Sequence, residues 1–360
     1  MQLYAIFLSI LIYTQAIFSL VELCDHHTYL ELTTLYGTTC IQEPVLIALI
    51  RHPAFERLKH IRQYGVMHYA RTEPEFTRYQ HSLGVFFITR LYGASFEEQI
   101  DALLHDVSHT VFSHVGDSLF ASDYRVGGKQ AYQDKIHEWY LQQTGLLDLL
   151  KQYGYEHACD CTTKEKHRCF DQHLPDLCAD RIEYNLTGGY IDGMLSKQQV
   201  TAIMQSLHFV DGQWFFSDII HARMFAQVSL QLTETRWGSL WSASIDHTAA
   251  CALKRAYELG IISIDEIHFS TDDTVWQKLL AVNDTHINHY LTCLKNPESF
   301  CLCQQSENSS YVHGKFSGTD PLVATDNGYK RLTELDAAYK QEFLRLKIAI
   351  APGWYIKQLN

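Results

Sequence analysis

The sequence predicts an all-α fold, a helical array with a small C-terminal extension. Three observations carry that expectation. Apolar residues recur at three- and four-residue intervals from Pro44 onward, alternating strand-like runs are few and short, and only two long polar stretches interrupt the rhythm. Val45, Leu46, Ala48 and Leu49 share a helical pattern, as do Phe55, Leu58 and Ile61. Residues 82–92 and 96–105 continue it on either side of a Gly93-Ala94-Ser95 turn, with Ser95 as N-cap and Glu98 as its capping-box partner. Residues 132–142, 174–186, 221–232, 245–259 and 274–294 give five further helices. The stretches 159–171 and 304–328 are polar and read as loops, and 329–346 regains helical spacing. The main domain is therefore expected over residues 40–295, followed by a loop-rich extension with a terminal helix over 296–360.

Composition narrows the function classes. The apolar fraction of 46% is enough for a buried core, so disorder is not expected. With a formal charge of -12 and no run of Lys or Arg, a grip on nucleic-acid backbone is disfavoured, and any phosphate site has to be locally basic. The apolar run over residues 1–20 has signal-peptide length, which points to export into a periplasm or the extracellular space; a packed first helix or an uncleaved anchor is the alternative. No later segment reaches a membrane-spanning length without charges. Export would favour disulfides among Cys159, Cys161, Cys169 and Cys178, with a zinc site on Cys159, Cys161, His167 and Cys169 as the competing reading.

The chemistry is concentrated in two segments, Arg78-Tyr79-Gln80-His81-Ser82-Leu83-Gly84 and the run from His105-Asp106 through His109 and His114 to Asp117. An adjacent His-Asp pair at a helix end can serve one cation, because both side chains reach beyond the terminus. His109, four residues after His105, would sit beside such an ion if the helix persists, where acid/base work is done. His114 and Asp117 are three apart, which makes an Asp-oriented imidazole available.

These segments resemble the HD-domain phosphohydrolases, particularly the branch of deoxynucleoside triphosphate triphosphohydrolases and their uncharacterised bacterial relatives. The likeness begins at Arg51-His52-Pro53, passes through both segments, reaches Ala179-Asp180-Arg181-Ile182-Glu183-Tyr184, and covers roughly residues 40–280. It implies one divalent metal ion (Mn, Fe, Zn, Ni or Mg) held by His81, His105, Asp106 and Asp180. It also implies acid/base and phosphate-site roles for His109, Asp117, His114 and His137, a phosphate contact at Arg78, a pocket lined by Arg181 and Tyr184, and nucleoside contacts at Gln63 and Tyr64. Relatives carry an Arg-Asp pair shortly after the Tyr184 position, the Asp meeting the sugar 3′-hydroxyl, where this chain has Thr187-Gly188. They are often oligomeric, so self-association is expected by analogy.

The expected function is hydrolysis of a small phosphorylated substrate, a (deoxy)nucleoside triphosphate cleaved to nucleoside and triphosphate. Phosphodiester or phosphomonoester hydrolysis at the same site is the alternative, and a secreted binding protein without turnover is a third reading.

Overall fold

The computed structural model describes residues 20–70, 75–120, 131–159 and 167–358. The expected signal peptide lies outside the described residues except for Leu20. No described helix is long and apolar enough to cross a membrane.

Helices dominate, but the all-α expectation needs correction: the described residues also form ten short strands in three small sheets. Val21–Asp25, Leu30–Thr34 and Gly37–Ile41 make an antiparallel meander ahead of the first predicted helix, with Leu30 and Leu32 turned into the core. A hairpin of Leu207–Val210 and Gln213–Phe216 is extended by Leu322–Thr325 and Gly328–Arg331. Trp354–Gln358 lies between Phe300–Leu302 and Ser310–Val312 in the third sheet. The stretch read as a loop over 304–328 thus carries strands of two sheets. Each strand is too short to give a strong two-residue alternation.

At the centre is the helix Arg78–Leu91, buried on nearly every face. Thr77 caps it and Gln80 returns the bond, so the first turn is fixed just before His81. It packs against Phe96–Leu104 and Ala179–Ile191, which bring the other site segments to it. Ser95 caps the second helix by accepting from the Glu98 N–H at 3.2 Å, but the predicted capping box is only half made. The Glu98 carboxylate accepts instead from the Phe170 N–H at 2.8 Å, pinning the polar stretch before Asp180.

Two predicted helices are also redrawn. The one expected over 174–186 runs from Ala179 to Ile191, since Pro175 disfavours helical backbone at Leu174. The one expected over 274–294 is two, Asp272–Ala281 and Thr285–Lys295, because Asp284 accepts from the His286 and Ile287 N–H groups and starts a new helix.

The carboxylate of Asp272, fully buried, joins two loops that wall the site. It accepts from the Arg62 N–H at 2.8 Å and the Phe112 N–H at 2.7 Å. Asp272→Ala would leave both donors buried and unpaired, and is expected to lower unfolding free energy by about 2 to 5 kcal/mol in urea denaturation. A loss below about 0.5 kcal/mol would mean that the loops are held by other contacts.

Candidate active site

His81, His105 and Asp106 place one donor atom each within 4.8 Å of one another. The His81 and His105 Nε2 atoms are 3.3 Å apart. Asp180 Oδ1 lies 3.0 Å from the first and 3.8 Å from the second, and Asp106 Oδ1 is 3.5 Å from His105 Nε2. The four residues named from the sequence therefore converge, although they come from two helices and the turn that ends a third. The Phe96–Leu104 helix stops at His105, whose Nδ1 bonds the Ala102 carbonyl at 2.8 Å and leaves Nε2 for the centre.

One further carboxylate completes the set. Glu183 Oε2 meets His81 Nδ1 at 2.5 Å, while Glu183 Oε1 accepts from Thr187 Oγ at 2.6 Å. Glu183 follows Asp180 by three residues on one helix, a spacing that could have flagged it. A carboxylate on the outer nitrogen of an imidazole fixes the tautomer and orientation that a metal ligand needs. Gly84 provides the room: a Cβ there would lie 2.7 Å from Glu183 Oε1 and 2.8 Å from its Cγ. Burial would lower the His81 imidazole, but Glu183, with Asp180 and Asp106, overrides it and raises the ring to about 10. Three carboxylates around two imidazoles create a field that favours positive charge at their centre. Two ring nitrogens facing each other across that centre fit a shared divalent cation.

Arg78 sits behind this ring. Its Nη1 donates to Asp106 Oδ2 at 2.5 Å and its Nε to Ser113 Oγ at 2.8 Å, so most of its charge is committed within the protein; Nη2 is buried with no hydrogen-bond partner among the described residues. The Arg78 guanidinium also helps hold the Asp106 carboxyl well below the usual range against the opposing effect of burial. His109 lies beyond the helix end, which does not persist to it, with Nε2 3.1 Å from Asp106 Oδ1. Burial, reinforced by Arg78, lowers it to about 3, so it is neutral at neutral pH.

The ring of His114 stands edge-on to His109, with centroids 5.1 Å apart. Its Nδ1 is 3.0 Å from Asp117 Oδ2, and its side chain is 46% exposed, against 3% for His109, so His114 is the imidazole a substrate can reach. Burial opposes ionisation of Asp117, but His114 prevails and holds it at about 2. His137 Nδ1 lies 3.0 Å from Ser108 Oγ.

His114 and Asp117 line a cavity of about 360 Å³. Ser113, His114 and Asp117 form one wall, and Gln63, Tyr64 and Tyr184 contribute to the others. His81, His105, Asp106 and Asp180 are not among its lining residues; Arg78, which bonds both Ser113 and Asp106, links the two groups. Arg181 is not among the lining residues, and its Nη1 is held by the Asp176 carbonyl at 2.9 Å. A side chain at Gly188 would come within 3.2 Å of the Tyr64 hydroxyl, so tyrosine stands where an acidic residue would project. Trp237 lies against both Tyr64 and Tyr184, with centroids 5.8 and 5.5 Å away.

Sequence reasoning missed the opposite wall. Arg236, Asp246 and His247 come from the segment around the Leu240–Glu258 helix, and Tyr311, His313 and Lys315 from the extension. Burial and neighbouring Asp117 raise Asp246 to about 7. The cysteine readings also change: the nine described cysteines are free thiols, Cys161 lies outside the described residues, and His167 Nδ1 bonds Asp101 at 2.8 Å.

No protein-family model matches the chain. Over 260 residues it is 30% identical to the uncharacterized protein YdhJ of Bacillus subtilis, covering 72% of this chain and 78% of that one. Over 186 residues it is 32% identical to the metal-dependent phosphohydrolase cns2 of Cordyceps militaris, covering 52% of each. Over 129 residues it is 31% identical to the deoxynucleoside triphosphate triphosphohydrolase SAMHD1 of Bos taurus, covering 31% of this chain and 22% of that one. The match to cns2 thus spans about half of that protein's length, and the match to SAMHD1 far less. The solved structure of a phosphohydrolase from Bacteroides thetaiotaomicron shares the fold, with TM-score 0.68 at 16% identity over 94% of this chain and 100% of its own.

Proposed function

The chain belongs to the HD-domain family of metal-dependent phosphohydrolases, and from that premise we propose that it hydrolyses a (deoxy)nucleoside triphosphate to nucleoside and triphosphate. The observation that carries this reading is the cavity: His114 and Asp117 line it together with Gln63, Tyr64 and Tyr184, which offer polar and aromatic surface for a nucleoside. The name of the SAMHD1 relative supports the same substrate class.

His81, His105, Asp106 and Asp180 would hold the divalent ion, one of Mn, Fe, Zn, Ni or Mg, with Glu183 orienting His81. When bound, the ion supplies Lewis acidity toward a phosphoryl oxygen and lowers the pKa of water from about 15.7 towards 7. Water adds to the α-phosphorus and gives up a proton to solvent, the bond to the sugar O5′ breaks, and the leaving oxygen takes a proton. His114 is placed to deliver that proton, since Asp117 holds Nδ1 and leaves Nε2 for the substrate. Neutral His109 keeps Asp106 oriented and adds no charge beside Arg78.

The purified chain with manganese and a panel of nucleotides tests the proposal. Release of triphosphate together with nucleoside is expected. Release of nucleoside and orthophosphate from monophosphates, with triphosphates left intact, would replace it with monoester hydrolysis, and no turnover of any nucleotide would overturn it.

A further inference from the structure

The cations close to the cavity are almost all committed within the protein. Arg78 is bound to Asp106, His114 to Asp117, and Arg236 makes a two-point pair with Asp192 at 2.5 and 2.9 Å. His313 Nε2 bonds the Ala351 carbonyl at 3.2 Å, and burial lowers the His247 imidazole below its ordinary range. Lys315 differs. It lines the same cavity, is exposed, and has no carboxylate or carbonyl partner for its ammonium among the described residues. In a chain of net charge -12, an uncommitted cation facing a cavity is the local positive charge that an anion needs.

The backbone beneath Lys315 is built in place. Its N–H donates to the Trp237 carbonyl at 2.8 Å. At Gly314 the chain runs so close to Gly238 that a Cβ would fall 2.6 Å from the Gly238 oxygen. On one side Ser310–Val312 pairs with Trp354–Gln358, and on the other Ser229 Oγ donates to the Ser317 carbonyl at 3.3 Å. The ammonium is thereby carried on a fixed segment next to Trp237, whose ring is tilted against Tyr64 and meets Tyr184 edge-on.

We infer that Lys315 is a specificity-determining residue that binds a second, non-scissile phosphate of the substrate. The inference rests on the proposed nucleotide hydrolysis and deepens it: a compound whose only phosphate is the one attacked makes no use of Lys315. That second phosphate belongs either to a polyphosphate tail or to the sugar. Both present anionic phosphoryl oxygens to a lysine that acts as a point charge.

Two measurements on the full chain decide the matter. In chelator-treated protein, calorimetric titration with inorganic triphosphate is expected to show binding that Lys315→Ala weakens by about 10-fold or more and Lys315→Arg largely restores. With manganese, Lys315→Ala is expected to raise KM with little change in kcat for substrates bearing a second phosphate, and to leave a nucleoside 5′-monophosphate unaffected. A KM increase for a nucleoside triphosphate assigns the lysine to the tail, and one for a nucleoside 3′,5′-bisphosphate assigns it to a sugar phosphate. Equal triphosphate affinity in wild type and Lys315→Ala, or an equal KM rise for the monophosphate, would overturn the inference. If wild type turns over no nucleotide, the proposed function fails, while the titration still decides whether Lys315 binds phosphate.

Discussion

Asp106→Ala is expected to abolish turnover, by about 10³-fold or more, and to weaken the fold as well. The catalytic loss follows from removing a carboxylate from the centre that the reaction needs to generate a nucleophile at neutral pH. The structural loss has a separate origin. Arg78 is only 3% exposed and donates to Asp106 at 2.5 Å, so the substitution strands a buried guanidinium, at a cost of about 3 to 5 kcal/mol. Metal content by mass spectrometry, turnover and a denaturation curve separate the two effects. His105→Ala provides the comparison, because the substitution leaves the Arg78–Asp106 pair intact and should cost activity with far less damage to the fold. Turnover by Asp106→Ala within about tenfold of wild type, with metal retained, would remove Asp106 from the centre.

Why some of this was legible in the sequence and some was not depends on how contacts are made. His105 and Asp106 could be read because adjacent residues at a helix end reach one point in space. Asp180 came only through family resemblance, since nothing local in the sequence tells that its helix crosses Arg78–Leu91. Glu183 was missed, although its spacing from Asp180 placed it on the same side of that helix. It is 102 residues from His81, and only the packing brings them together. The all-α reading failed on strands of three to five residues, whose pairing is decided by partners far away in sequence. The extension was read as an appendage for the same reason: Lys315 meets the cavity through Trp237 and the Trp354–Gln358 strand, neither of which its own sequence announces.

The second large effect is expected at Gly84, a residue that touches no substrate and offers no ligand. It lies three residues after His81 on a buried helix, and the hydrogen it carries in place of a side chain faces the Glu183 carboxylate. Gly84→Ala would not weaken the helix by propensity, since alanine favours helix by about 1 kcal/mol over glycine. Its added methyl instead meets Glu183 at a distance no real Cβ contact tolerates, and Glu183 has to leave His81 Nδ1. Loss of such an orienting carboxylate is expected to lower metal affinity by about 10- to 100-fold, read by competition with a metallochromic chelator. Glu183→Ala should do the same by direct removal. The two changes should then fail to add: Gly84→Ala placed in the Glu183→Ala background has no carboxylate left to displace, so the double variant should bind metal about as well as Glu183→Ala alone. Full additivity would show that the methyl acts by another route, such as moving the Arg78–Leu91 helix against Ala179–Ile191. Non-additivity would tie the glycine of the His81-Ser82-Leu83-Gly84 motif to the orientation of one imidazole nitrogen.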